Sequence, residues 1–171
     1  MSARSSRDAV EAFLTPLQRA VSCVSPGVLV ERRGPARAAG PRFAVLSDAL
    51  ARLRGTSSLS LTILHAFEVE ALPEDRASWR ARTVGYAYEV LRAEGQTLLA
   101  YHWHSVGASP VTTPHLHLGG TLAGIDLSKA HLPTGHVALQ DVLRFAIIDL
   151  GVEPLRDDWD AILAGSWPRD V

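Results

Sequence analysis

Between Leu59 and His104 the hydrophobic period of the chain is two. Leu59, Leu61, Ile63, His65, Phe67 and Val69 alternate with Ser, Thr, Ala and Glu, and Val84, Tyr86, Tyr88 and Val90 repeat the pattern. Thr97–His104 sets Leu99, Tyr101 and Trp103 on one side against Leu98, Ala100, His102 and His104 on the other. Residues i and i+2 of a strand share a face, so these runs predict half-buried strands. A polar turn at Pro73–Ser78 divides the first two, and Ala93-Glu94-Gly95-Gln96 reads as a hairpin turn between the second and third. The Gly-, Ser- and Pro-rich loop Ser105–Thr113 leads to Pro114 and a fourth short strand ending at Leu118. Consecutive strands most often pair with their sequence neighbours, so a small antiparallel meander of three or four strands is expected over residues 57–119.

The flanks change period. Val10, Phe13, Leu14, Leu17, Val21 and Val24 fall at three- and four-residue steps, predicting a helix from Asp8 to Val24 with Ser6 as its cap. Pro16 inside it predicts a kink or a late start. Residues 25–42 hold three prolines and three glycines and read as a loop, with a short strand at Val28–Val30. Phe43–Leu53 returns to helical spacing, with Gly55 as a stop. In the tail, Thr134 as a cap and Gly151 as a stop bracket an apolar stripe of Val137, Val142, Leu143, Ala146, Ile147 and Leu150. A last helix is expected near Arg156–Ala164. The expected class is α+β, one domain over 1–171. It comprises a helical front (1–56), the β-meander with its histidines (57–119) and a helical tail (120–171).

Charge follows the same division. Residues 1–56 carry nine Arg against four acids, residues 57–119 four Arg against six acids, and residues 120–171 four basic groups against eight acids. The net charge of −1 argues against a nucleic-acid-coating protein, although the basic front could face phosphate. One cysteine, Cys23, excludes an intrachain disulfide and a Cys-rich zinc site. No apolar run approaches the roughly 18 residues of a membrane span, and the first residues do not read as a signal peptide. The expectation is a cytoplasmic protein with no membrane partner.

Four of the seven histidines form two His-x-His pairs, His102-Trp103-His104 and His115-Leu116-His117. If the two segments pair as strands, four imidazoles converge on one patch. Imidazole titrates near neutral pH and is also the commonest metal ligand. One reading makes His102, His104, His115 and His117 a metal-independent acid–base set for phosphodiester cleavage, one ring taking a proton while another gives one. Tyr101, Thr112 and Thr113 would then orient an imidazole or hold a phosphate, with Arg80 and Arg82 supplying positive charge. A second reading has the same four histidines bind Zn²⁺ or another divalent metal. No Asp or Glu lies between Ala100 and Gly124, so any carboxylate must arrive through the fold, as Glu89 or Asp126. A third reading leaves the histidines as exposed strand residues of a partner-binding protein. His65, His131 and His136 read as separate surface or core-edge residues, with His131 and His136 the nearer candidates to join the site.

The stretch Leu64–Leu118 resembles the TumE-type toxins of prokaryotic toxin–antitoxin systems. The resemblance rests on the succession LHAFEVE, GYAYEVL, RAEGQ, LLAYHWH and TTPHLHL. HWHSVGASP stands where that family usually carries an Asp-Asn-Ala-Pro-like stretch, and about fifty residues at each end have no counterpart. The resemblance implies a cytoplasmic toxin acting on RNA, a ribonuclease in effect, restrained by a small cognate antitoxin. An exposed meander edge would also allow a homodimer.

Overall fold

The computed structural model describes residues 3–33, 40–55, 57–75, 77–105 and 109–165. Its frame is an eight-stranded antiparallel sheet. The strands are β1 (Leu29–Arg33), β2 (Arg42–Leu46), β3 (Ala51–Arg52), β4 (Ser60–Ala71), β5 (Trp79–Leu91), β6 (Thr97–His104), β7 (His115–Leu118) and β10 (Leu132–Pro133). Their order is β1-β2-β4-β5-β6-β7-β10, with β3 beside β4. A separate hairpin pairs β8 (Thr121–Leu122) with β9 (Ile125–Asp126). Three helices complete the chain: α1 (Ser6–Val21), α2 (Leu139–Ile148) and α3 (Trp159–Leu163).

The expected three- or four-stranded meander is therefore only the centre of a much larger sheet. The helix expected over Phe43–Leu53 is instead β2, a turn and β3. A short apolar run such as Phe43-Ala44-Val45-Leu46 fits either period, and pairing decides it. Arg42–Val45 zips onto Phe67–Leu64 of β4, while Arg42–Leu46 also pairs with Arg33–Leu29 of β1. The short strand expected at Val28–Val30 is the start of β1. At the opposite edge β10 contains Pro133, tolerated there because an edge strand leaves one side of its backbone unpaired.

All three helices pack on one face of the sheet. Registers put Leu61, Val90 and Leu99 in one row of that face, and Ile63, Tyr88, Tyr101 and Leu116 in the next. Leu17, Ala20 and Val21 of α1 and Leu139, Val142, Leu143 and Ala146 of α2 close over them in a single cluster. Each fully buried aliphatic side chain there contributes about 1.5–3 kcal/mol. α1 begins at Ser6 and runs through Pro16, capped by the Ser5 hydroxyl, which accepts from Asp8 N at 3.1 Å. α2 begins five residues after Thr134, because Leu132–Val137 is held extended by pairing with β7 and by Val137 N donating to Tyr86 Oη. Its stop is as expected: Gly151 has φ 72°, a left-handed conformation that favours glycine.

The other face lacks a helical cover among the described residues. Its middle row reads Val30, Val45, Leu64, Ala87, His102, His115, and its neighbour reads Thr62, Glu89, Ala100, His117. Leu64 is 40% exposed there, whereas its sequence neighbour Ile63, facing the helices, is 4% exposed.

Candidate metal centre

The two histidine pairs do meet. β6 and β7 pair so that His102 lies opposite His115 and Ala100 opposite His117. His104 is one step along the same face of β6. Ring centroids are 5.1 Å apart for His102–His117, 5.0 Å for His115–His117, 5.8 Å for His102–His115 and 5.3 Å for His102–His104. Ring nitrogens of His102, His115 and His117 lie within 4.8 Å of one another. Tetrahedral coordination at about 2.1 Å places ligand nitrogens about 3.4 Å apart, so rotation of these side chains by roughly an ångström closes the set.

Two of the three rings are oriented by an oxygen. His102 Nε2 donates to Glu89 Oε1 at 3.3 Å, and His115 Nδ1 donates to the Thr113 carbonyl at 2.8 Å. A ligating imidazole needs this arrangement, one N–H committed to an outer oxygen so that the other nitrogen presents its lone pair. Those contacts commit Nε2 of His102 and Nδ1 of His115, and leave Nδ1 of His102 and Nε2 of His115 as the nitrogens available for a ligand. Glu89 reaches the site because it stands on β5 opposite Ala100, whose small side chain leaves the row open. The hydrogen bond from His102 holds the Glu89 carboxyl below its ordinary pKa, an effect only partly opposed by burial. His104 and His117 are both lowered, first by burial and then by their imidazole neighbours. For His117 the Ala130 hydrogen bond opposes that shift. Lowered values favour the neutral imidazole, the form that binds metal.

His131, which the sequence set apart, joins the cluster. It immediately precedes β10, and its ring lies 4.6 Å from His117 and 4.9 Å from His115. Only the fold reveals this, because the link is the pairing of β10 with β7. His136 goes to the helix side of the sheet, 4.2 Å from the Trp103 ring. His65 lies on the helix side too, fully enclosed, and burial alone pushes its pKa down to about 3. Its Nδ1 meets Tyr88 Oη at 2.6 Å and its Nε2 meets Thr83 Oγ1 at 3.0 Å.

The remaining sequence candidates disperse. Tyr101 faces the helix-side core, on the opposite side of the sheet from the imidazoles. Thr113 contributes its carbonyl to His115, while its side chain is exposed. Arg80 and Arg82 lie beyond the level of His104 on the β4–β5 hairpin, paired with Glu70 and Glu68 at 2.8 and 3.3 Å. Asp126 binds Ser128 N rather than a histidine.

A cleft of about 550 Å³ opens beside His102 and His117. Glu89, Ala100, Arg92, Thr97, Gly119 and Ser128 complete much of its wall. Its size is that of a small-molecule site. No protein-family model, curated protein or solved structure matches the chain. Among the described residues no helix is long and apolar enough to cross a membrane.

Proposed function

We propose that His102, His115 and His117 form a divalent-metal centre of the zinc type, and that the protein is a metal-dependent enzyme acting on small molecules bound in the adjoining cleft. The observation that carries this reading is the convergence of three imidazoles, His102, His115 and His117, two of which have their other ring nitrogen engaged by an oxygen, Glu89 Oε1 for His102 and the Thr113 carbonyl for His115. Three protein ligands leave a coordination position open, which is the pattern of catalytic rather than structural zinc sites. A bound ion there would make water a nucleophile near neutral pH, suiting hydrolysis or hydration. The residues supply the rest: Glu89 fixes His102, the Thr113 carbonyl fixes His115, and the cleft admits substrate from the His102–His117 side.

Metal content decides the matter. Purified protein, dialysed against trace zinc and analysed for metal, is expected to hold close to one ion per chain. A His102→Ala/His117→Ala variant with an unchanged circular dichroism spectrum is expected to hold almost none. Equal metal in both proteins would overturn the assignment.

The second reading is metal-free RNA cleavage by a toxin-like protein that a small antitoxin restrains. On its side stands the packing of several imidazoles within reach of one another, with His102 hydrogen-bonded to Glu89 Oε1 and His104 held toward its neutral form by burial and its imidazole neighbours. RNA cleavage that survives exhaustive chelation, and is abolished in the His102→Ala/His117→Ala variant, would favour it over the metal centre.

A further inference from the structure

The cleft beside the histidines is asymmetric in charge, and its asymmetry bears on what it holds. Its one lining carboxylate, Glu89, is already turned toward His102. Arg92, three residues further along the chain and just past the end of β5, lines the same cleft, exposed and with no ion pair among the described residues. Its backbone is fixed by the hairpin turn, with Arg92 N donating to the Gln96 carbonyl at 2.8 Å and Gly95 N to the Arg92 carbonyl at 2.9 Å. The guanidinium is therefore carried by a rigid strand end rather than by a loose loop. Gln96, Thr97 and Ser128 add polar groups to the same wall. Gly119 and Gly120 leave another part of it without side chains, and a Cβ at Gly119 would lie 1.5 Å from the Thr97 carbonyl oxygen.

We infer that the substrate of this centre carries an oxyanion group, a carboxylate or a phosphate, which Arg92 grips while the reacting part of the molecule lies at His102, His115 and His117. The inference rests on the metal-centre reading above and adds the substrate's charge to it. A guanidinium offers paired N–H donors in a planar fork that matches either oxyanion. Arg92, His102 and His117 all line this one cleft of about 550 Å³, a volume in the range of small-molecule sites.

The test uses the full chain loaded with Co²⁺, whose visible absorption reports both ion seating and any change at the ion. Succinate, inorganic phosphate and neutral succinamide are titrated in turn into wild type, Arg92→Gln and Arg92→Lys. The expected result is saturable perturbation by one or both anions, at least tenfold weaker in Arg92→Gln and partly restored in Arg92→Lys. Succinamide is expected to have little effect, and the preferred anion tells carboxylate from phosphate. Unchanged Co²⁺ spectra without anion would show that the substitution leaves the metal site intact. Seated cobalt with equal anion affinity in wild type and Arg92→Gln, or with succinamide binding as well as succinate, overturns the inference alone. Failure of cobalt to seat in wild type overturns the metal centre and this inference with it.

Discussion

The two faces of the sheet use the same residue type in opposite ways. On the helix side His65 is sealed among Phe13, Tyr88 and Thr83 and held neutral. On the open side five histidines are linked by a chain of ring contacts, and two of them, His102 and His117, line a cleft. The enclosed histidine has both ring nitrogens engaged by neighbouring hydroxyls and serves packing. The open-side set, in which His115 is as buried as His65 while His102, His104 and His117 are half-buried, keeps ring nitrogens uncommitted and can bind. What separates them is the cover: α1 and α2 exclude water from one surface and leave the other accessible.

The sharpest way to break that comparison is to damage the covered face. Leu61→Ala, at a side chain with no exposure, is expected to lower stability by about 2–5 kcal/mol in denaturant unfolding. Proton linkage gives the next largest effect. The unfolded chain protonates His65 near its ordinary pKa of 6.5, whereas the folded state resists protonation down to about 3. Below pH 6.5 the unfolded state therefore binds more protons. The stability that neutral His65 contributes is complete above that value and is lost as pH falls toward 3, at about 1.4 kcal/mol per pH unit. Urea titrations from pH 7 to 4 should show this slope, reduced in His65→Gln; equal slopes would remove His65 as its source.

On the open face the expected effects are on binding rather than folding. Glu89→Gln keeps the shape but weakens the hold on His102, and is expected to cost about 10–100-fold in zinc affinity with little change in thermal midpoint. An unchanged affinity would mean that Glu89 does not orient the ligand. The smallest effect is expected at Leu64. Replacing this half-exposed residue with Thr should move stability by no more than about 0.5 kcal/mol in the same denaturant assay. A loss approaching that of Leu61→Ala would show that the open face is covered after all.

Much of the centre was legible because a period of two carries its own geometry. The alternation through Leu59–His104 located β4, β5 and β6 and placed His102 and His104 on one face, and the Pro-His-x-His run located β7. Gly95, with φ 74°, turns the chain where Ala93-Glu94-Gly95-Gln96 indicated. The front was misread because β2 is too short for period to distinguish strand from helix, and only the pairing with β1 and β4 settles it. His131 was out of reach for a different reason. It joins the site through a two-residue edge strand containing proline, which has no period to read. Glu89 could be anticipated as a carboxylate within the fold's reach, but its partner among the histidines could not.

The doubled His-x-His pattern leaves one matter undecided that the glycine after it decides. Sliding β7 by two residues along β6 would keep every imidazole on the same face, with His102 opposite His117 and His104 opposite His115. Hydrophobic alternation would be equally content, since two is its own period. Gly119 distinguishes the alternatives: its N–H donates to the Leu98 carbonyl at 2.8 Å, in an approach to Thr97 too close for any side chain. The choice of which histidines face each other, and so of which ion geometry the chain can offer, is thereby entrusted to a residue that contributes no ligand and no side chain at all.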